Sequence, residues 1–170
     1  MHFLGRLVAA CWLLGIAAGP GELAAQQPIH VTKDQLLGTW KLVSWAQFEP
    51  NGSASPALGG TNIAGILMFD AAGNFSMQMI SERPKWAADG RMSGTPEENT
   101  AAAQGVLSYF GTYSAEKDSL VFHIQRSSFP NLGGAHVRRV LMSFTGDVMK
   151  YQNAATGRGG QAHVEWKRVQ

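Results

Sequence analysis

A histidine between two large apolar residues is the strongest candidate for acid–base chemistry in this sequence. His123 lies between Phe122 and Ile124, and general acid–base catalysis needs a titratable group held in a pocket. Alternation along a strand turns His123 away from both neighbours, so it faces solvent if they face a core. Its partners would come from a scattered set: Tyr109, Tyr113, Arg138, Arg139 and Glu165. No spacing favours one set of partners, and an ordinary strand histidine is the simpler interpretation.

Other recognisable chemistry is missing from the sequence. His30, His136 and His163 show no His-x-His or His-x-x-x-His spacing, so no metal site is predicted. There is no Gly-x-Ser-x-Gly, phosphate loop or dinucleotide fingerprint, and we expect no cofactor. A single cysteine excludes an internal disulfide. Formal net charge is +2 without a basic run, which predicts no nucleic-acid partner.

The first 25 residues have the order of a secretory signal peptide. Arg6 supplies a positive charge, residues 7–18 are almost wholly apolar, and small residues up to Ala25 precede Gln26. The apolar run is shorter than the roughly 20 residues that span a bilayer, so we predict no transmembrane span. Cys11 has its apolar stretch after it, which is the wrong arrangement for lipidation. We therefore predict cleavage after Ala25 and an exported protein, periplasmic or secreted.

The remainder predicts one all-β domain. Hydrophobic residues make up 45% of the chain and charged residues 15%, enough for a sizeable core. After a polar lead-in at residues 26–36, residues 37–170 carry short segments rich in β-formers between turn signals. Eight strands are predicted, at residues 38–45, 65–69, 75–80, 109–114, 120–125, 137–144, 148–152 and 162–168. A capping box from Thr95 to Glu98, with Pro96 at the first helical position, predicts one short helix up to about Leu107. This pattern favours an antiparallel barrel or sandwich.

The segment Gly38-Thr39-Trp40 resembles the Gly-x-Trp of lipocalin-type barrels. In those barrels the tryptophan closes one end, and a basic residue near the C-terminus lies across its ring. In the last predicted strand Val164, Trp166 and Arg168 share one face, so Arg168 is the residue placed to lie on Trp40. A guanidinium over an indole is worth about 0.5–2 kcal/mol.

A longer, ordered set of segments resembles the bacterial lipocalin-like domain proteins. These segments are residues 37–45, 70–78, 94–98, 109–113, 129–131 and 166–168. The resemblance extends from about residue 36 to the end of the chain. It implies a calycin-type, eight-stranded antiparallel barrel with one short helix. It implies no activity, because a fold does not determine function.

Ligand binding inside the barrel is the first functional hypothesis, since a barrel of this size can hold one small molecule. We expect the ligand to be small and apolar or amphipathic. Alternation predicts inward side chains at Leu42, Phe75, Met77, Met79, Phe122, Ile124, Val140, Met142 and Phe144. Residues 81–94, which include Trp86, are long enough to form a lid over the barrel together with the helix. The candidate ligand-binding residues are Phe75, Met77, Met79, Trp86, Phe122, His123 and Met142; an ordinary packed core explains the strand positions equally well.

Two other functions stay open. A small-molecule isomerase or cyclase would use the same interior, with His123 as its base. A non-catalytic interaction protein of the cell envelope would instead present Trp45 or Trp86 at an exposed interface. No feature of the sequence predicts an oligomeric state.

Overall fold

The computed structural model describes residues 29–59, 61–154 and 159–170. The predicted signal peptide with Cys11, the first residues of the polar lead-in and part of the predicted turn at 157–160 lie outside the described residues. The strands are β1 (Gly38–Phe48), β2 (Ala54–Ser55), β3 (Thr61–Phe69), β4 (Asn74–Glu82), β5 (Val106–Glu116), β6 (Ser119–Ser127), β7 (His136–Phe144), β8 (Val148–Asn153) and β9 (Gln161–Arg168). The helices are α1 (Lys33–Leu36) and α2 (Pro96–Gln104), with a 3₁₀ turn at Pro130–Leu132.

The strands close into an antiparallel barrel, as predicted. They follow the order β2-β1-β3-β4-β5-β6-β7-β8-β9, and β1 also pairs with β9. The eight strands β1 and β3–β9 form the closed wall, which leaves no free sheet edge along it. The ninth strand, β2, was not predicted; its two residues pair with the end of β1 beyond the wall.

The up-and-down order gives the barrel two different ends. Short turns join β3–β4, β5–β6 and β7–β8 at the end where β1 begins, and we call this end the floor. Gly73 and Gly146 both have φ of 87° in these turns, a conformation that favours glycine. The longer connections leave from the opposite end, which we call the mouth. The longest is residues 83–105, which join β4 to β5 and include α2; we call it the connector.

Aromatic and methionine side chains fill much of the interior. The rings of Phe75 and Phe122 stack with centroids 4.4 Å apart, and those of Phe69 and Tyr113 lie 4.6 Å apart. Ring pairs at these distances add to the stabilisation that burial alone provides. Five of the predicted inward residues are buried in this core: Phe75, Met77, Met79, Phe122 and Ile124.

A β-bulge in β7 changes which of its residues face inward. The register with β8 shifts between Leu141 and Ser143, and one extra residue reverses the alternation on either side of it. Phe144 packs against the core as predicted, but Leu141 is the buried residue before the bulge. The prediction for Val140 and Met142 therefore does not hold: both are only half-buried and lie outside the core cluster. The same reversal turns Arg139 inward.

Two short helices complete the described fold. In α2 the Thr95 hydroxyl accepts from the Glu98 N–H and the Glu98 carboxylate accepts from the Thr95 N–H, the predicted capping box. The helix ends at Gln104, earlier than predicted, with Gly105 as its C-cap. A second capping box, Thr32 with Gln35, starts the unpredicted helix α1. Leu36 of that helix is fully buried, so part of the predicted polar lead-in belongs to the core.

Candidate functional site

The floor of the barrel is built around Trp40 and Arg168. The guanidinium carbon of Arg168 lies 4.2 Å from the centroid of the Trp40 ring, where strand alternation places it. Trp40 itself is fully buried, and its indole N–H donates to the Leu36 carbonyl at 2.8 Å. Lys167, the neighbour of Arg168, is exposed.

Every nitrogen of the Arg168 guanidinium has a hydrogen-bond acceptor. Nε and Nη2 donate to the Gly146 carbonyl at 3.2 and 3.0 Å, Nη1 donates to the Leu37 carbonyl, and Nη2 also donates to the Gln35 carbonyl. The Asp147 carboxylate lies 3.6 Å from Nε. This arginine ties α1, the β7–β8 turn and the last strand together, and we assign it a structural role.

A second arginine lies inside the barrel with a different set of partners. Arg139 pairs across the sheet with Leu120, which is fully buried, and directly opposite residues share one face of a sheet. Its guanidinium carbon lies 5.9 Å from the centroid of the Phe122 ring. Nη2 donates to the Tyr109 hydroxyl at 3.3 Å and Nη1 to the Arg138 carbonyl, also at 3.3 Å. Among the described residues no salt bridge joins Arg139 to a carboxylate.

The Tyr151 hydroxyl also interacts with Arg139. Burial raises the pKa of Tyr151 well above its ordinary value, which Tyr109 reinforces and Arg139 only partly offsets. Burial also disfavours the charge of Arg139, but the Tyr109 and Tyr151 oxygens outweigh it and hold the pKa of Arg139 above its ordinary value. At neutral pH the protonated hydroxyl of Tyr151 therefore lies beside the Arg139 cation.

Several buried polar atoms of inward-facing residues have no hydrogen-bond partner in the described part of the chain. They are Nε of Arg139, Nε1 of Trp45, Nε1 of Trp166 and Oδ1 of Asn153. Trp45 pairs with Val164 and Asn153 pairs with Ala162, both buried, so all four residues face the interior. The Trp166 N–H lies close enough to the Tyr151 hydroxyl to favour the ionised form of Tyr151. The contact does not have the geometry of a hydrogen bond, so the Trp166 N–H counts as unpaired.

An unpaired buried polar group costs about 1–3 kcal/mol, and a charged one more. The interior thus combines apolar walls with three unpaired N–H donors and a cation. Such a set can bind a small molecule that carries hydrogen-bond acceptors.

His123 is not part of this interior set. Its neighbours Phe122 and Ile124 are buried in the core, and His123 lies on the outer face opposite His136, with ring centroids 4.4 Å apart. The isomerase or cyclase hypothesis therefore loses its candidate base. Over residues 29–59, 61–154 and 159–170 no group of three or more metal-ligating side chains is found.

The other proposed partners of His123 are also dispersed. Arg138 lies on the outer face and forms a 2.7 Å salt bridge with Glu116. Tyr113 is near the floor, where its hydroxyl donates to the Asp70 carbonyl at 3.4 Å. Glu165 pairs with Lys150 and Ser44 away from the core. Only Tyr109 and Arg139 of the predicted set meet, and they meet without the histidine.

Trp86 lies in the connector and does not reach the core cluster. It is half-buried and lines a groove of about 750 Å³ between the first part of the connector and α2, together with Ser81, Glu82, Arg83, Pro84, Lys85, Glu97, Glu98, Ala101 and Ala102. A Cβ atom at Gly94 would lie 2.7 Å from the Trp86 ring, so glycine is needed there for the ring to pack. The groove is separate from the interior, since no buried core aromatic lines it.

The connector is held in place by two charged side chains. Nη1 of Arg83 donates to the Ala102 carbonyl at 2.6 Å, at the C-terminal end of α2 where cations are favoured. The Glu98 carboxylate accepts from Ala87 N at 3.0 Å as well as from Thr95 N at 2.8 Å. These contacts give the connector a defined structure at the mouth. No helix among the described residues is long and apolar enough to cross a membrane.

Most of the interior polar residues could not be predicted from the sequence, for one reason. The sequence predicts Arg139 only as a partner of His123. It does not predict ligand contacts at Tyr151, Trp45, Trp166 and Asn153. Unbroken alternation from Phe144 points Val140 inward and Arg139 outward, and only the bulge reverses this. The available signal was the presence of two polar residues, Arg139 and Asn153, on strands whose other residues have the pattern of a buried core.

Comparison with known proteins gives one match to a family and several distant structural similarities. No curated protein matches the chain. Three similar solved structures are a redesigned β-barrel (15% identity, 84% of this chain and 99% of that chain, TM-score 0.44), a de novo designed fluorescence-activating β-barrel (14%, 81% and 96%, 0.40), and bovine odorant binding protein in complex with a selenium-containing odorant (12%, 86% and 78%, 0.41). These similarities are too distant to support a statement about function.

The family assignment rests on the sequence itself. Residues 37–169 match the family model described as a lipocalin-like domain, which spans the whole closed wall from β1 to β9. The closed eight-stranded barrel and the Trp40–Arg168 contact agree with the resemblance drawn from the sequence. The chain belongs to the lipocalin-like domain family.

Proposed function

We propose that this protein is an exported lipocalin-like barrel that binds a small, largely apolar molecule in its interior. The observation that carries the proposal is the set of unpaired polar atoms of Arg139, Trp45, Trp166 and Asn153 among buried apolar side chains. A barrel evolved for stability alone would replace them with apolar residues, because each unpaired group lowers stability. Met77 and Met79 supply walls that adapt to a ligand's shape.

A fluorescence titration tests whether the interior binds. N-phenyl-1-naphthylamine is uncharged and fluoresces in apolar surroundings, and Trp45 and Trp166 inside the barrel serve as energy donors. We expect saturable binding of about one probe per chain, since a barrel of this size holds one small ligand. No saturable signal would contradict the proposal.

A pair of variants locates the site. Ala162→Phe fills the interior beside Asn153, because Ala162 is fully buried and pairs with it. Ala46→Phe adds the same ring on the exposed outer face of β1. We expect the first variant to lose probe binding and the second to keep it, with thermal melts showing that both remain folded. Equal binding by the two folded variants would place the site elsewhere.

Mass spectrometry identifies the natural ligand. The protein is purified without denaturation from its native host, extracted with organic solvent, and compared with Ala162→Phe purified in the same way. We expect one compound in the wild-type extract that is lacking from the variant extract.

The connector is proposed as the lid of this interior. It leaves from the mouth, and Trp86 packs within it. Trp86→Ala should change the rate of probe uptake with little loss of stability, while Met92→Ala, which alters an exposed side chain of the same connector, should change neither. A loss of stability of about 3–5 kcal/mol for Trp86→Ala, typical of a core aromatic, would contradict the lid.

Export is proposed from the signal-peptide pattern of residues 1–25. N-terminal sequencing of the protein from its native host should begin at or near Gln26. An intact Met1, or a lipid on Cys11, would contradict this proposal.

Interaction with another envelope component is a second candidate function, and an outer apolar patch favours it. Met68 and Phe110 both flank Ser76 across β3, β4 and β5, and they are 37% and 49% exposed. Apolar side chains grouped on an outer face mark interaction sites. If this is the function, Phe110→Ser should release the protein from the envelope fraction of its host without changing probe binding.

A further inference from the structure

We propose that the ligand carries a carboxamide, and that Trp45 and Asn153 bind this group at the mouth end of the interior. This inference rests on the proposed function and names one polar group of the ligand. The Trp45 indole N–H would donate to the amide oxygen, and the Asn153 side-chain oxygen Oδ1 would accept from the amide N–H.

The layer of the interior next to the mouth is polar. Directly opposite residues of neighbouring strands share one face of a sheet, and strands β2, β1, β9 and β8 each supply one residue to this layer. In that order the residues are Ser55, Gln47, Ala162 and Asn153. Gln47 and Ala162 are buried, so the whole row faces inward. Trp45 lies two residues before Gln47 on the same face of β1, one layer closer to the floor.

Two atoms on opposite sides of β9 are buried without a hydrogen-bond partner in the described part of the chain. They are the indole nitrogen of Trp45, in β1, and Oδ1 of Asn153, in β8. The Ser55 hydroxyl, in the same row as Asn153, also has no partner among the described residues. The first of these atoms is a donor and the second an acceptor. Both lower stability until another molecule pairs with them.

Only a ligand group that both accepts and donates satisfies the two atoms. A carboxylate or an ester has no hydrogen to donate at neutral pH, so it would leave Asn153 Oδ1 unpaired. An ammonium group has no acceptor, so it would leave the Trp45 N–H unpaired. A carboxamide carries one group of each kind.

The spacing of the strands favours an amide over a hydroxyl. Neighbouring strands lie about 4.8 Å apart, so β1 and β8 are separated by about 10 Å with β9 between them. Ala162 is the residue of β9 at this level, and its small side chain leaves room between Trp45 and Asn153. The oxygen and the N–H of a trans amide point in opposite directions. An amide therefore reaches both walls, whereas a hydroxyl offers both functions at a single atom.

The residue before Asn153 provides a matched control. Tyr151 is buried and faces inward, so alternation turns Gln152 to the outer face. There the Gln152 amide donates to the side-chain oxygen of Gln161. Replacing Gln152 or Asn153 with leucine removes one neutral amide from β8 in each case. Only the replacement of Asn153 changes the interior.

The test compares an amide with an ester of the same shape. N-Methyldodecanamide and methyl dodecanoate differ only where the amide N–H is an oxygen in the ester. Each is used to displace N-phenyl-1-naphthylamine from wild type, Asn153→Leu and Gln152→Leu. We expect wild type and Gln152→Leu to bind the amide more tightly than the ester by about tenfold, the effect of one buried hydrogen bond. In Asn153→Leu that preference should vanish while the ester still binds; a preference that survives in Asn153→Leu would overturn the inference.

A measurement on wild type alone guards against a variant that fails to fold. The indole N–H of Trp45, assigned through its own backbone resonances, is followed by NMR during titration with N-methyldodecanamide. Its proton resonance should move downfield, because the N–H changes from an unpaired group to a hydrogen-bond donor. A resonance that stays in place in the saturated complex would overturn the inference.

The outcomes separate the two proposals. If the probe, the amide and the ester all bind but wild type shows no preference for the amide, this inference is wrong and the proposed function stands. If neither the probe nor either competitor binds, the proposed function is wrong and the inference falls with it.

Discussion

Two arginines lie against aromatic rings at two levels of the same barrel, and their surroundings differ. Arg168 at the floor lies 4.2 Å from Trp40, and each of its nitrogens donates to a backbone carbonyl. Arg139 in the interior lies 5.9 Å from Phe122, with two long contacts and one nitrogen that has no partner in the described chain. The same type of side chain thus has an acceptor at every guanidinium nitrogen in one place and lacks an acceptor at Nε in the other.

The comparison separates stability from function within one fold. A cation with a hydrogen-bond acceptor at every nitrogen, and with a carboxylate nearby, stabilises the structure around it. A cation buried without a counter-ion lowers stability and is retained where it serves a ligand, as natural proteins accept such losses at functional sites. The floor and the interior should therefore respond oppositely to loss of their arginines.

Loss of Trp40 should have the largest effect. Trp40→Ala removes a fully buried indole and its hydrogen bond to Leu36, so we expect a loss of about 3–5 kcal/mol in the free energy of unfolding. Urea unfolding measures it. A loss below about 1 kcal/mol would show that the floor does not depend on this residue.

Arg168→Ala should destabilise the barrel by about 2–3 kcal/mol. The cation–π contact contributes part of this, and the carbonyls left without their charged donor contribute the rest. A double-mutant cycle with Trp40→Ala should show coupling; simple additivity would contradict the contact. The control Lys167→Ala, at an exposed position, should cost under about 0.5 kcal/mol.

Arg139→Met should change stability in the opposite direction. An apolar side chain of similar length replaces a half-buried charge that has no carboxylate partner and one unpaired buried nitrogen in the described chain. An unpaired buried donor costs about 1–3 kcal/mol, so we expect Arg139→Met to stabilise by about 1–2 kcal/mol. Urea unfolding of the ligand-free protein measures it, and Arg138→Met is the control, expected within about 0.5 kcal/mol of wild type. A loss as large as that of Arg168→Ala would show that both arginines are structural.

Tyr151 should give the barrel a small sensitivity to alkaline pH. Burial raises its pKa in the folded state, whereas in the unfolded chain the tyrosine loses its proton near pH 10. The contribution of Tyr151 to the free energy of unfolding is therefore fully present below about pH 10. Above that pH the free energy of unfolding falls, by up to about 1.4 kcal/mol per pH unit for one proton. Tyr151→Phe should flatten this fall in unfolding experiments between pH 9 and about 11; an unchanged slope would contradict the assignment.

The floor could be predicted from sequence because each of its signals is local. Gly38-Thr39-Trp40 marks the start of the barrel, and alternation in the last strand selects Arg168 over Lys167. The helix α1 at the floor is not predicted from sequence, because its capping box, Thr32 with Gln35, spans only one turn within a stretch of polar residues.

The interior could be predicted only in part. Phe75, Met77 and Met79 alternate without interruption along β4 and are buried as expected. The polar group around Arg139 was hidden by the bulge in β7, whose position depends on pairing with β8 and not on a local turn signal. The sequence predicts that the segment with Trp86 covers the mouth, but not how its ring packs. That packing depends on the close approach of Gly94 to the ring, which residue spacing does not show.

By itself the sequence determined the family, the barrel class, the positions of the eight wall strands and the residue that covers Trp40, because these follow from period-two patterns and short motifs. The tertiary structure alone decided that Arg139, Tyr109 and Tyr151 meet inside the barrel and that His123 and His136 meet outside it. The physical reason is that closure brings together strands far apart in sequence, and a one-residue bulge in a single strand decides which side of the wall a charge occupies.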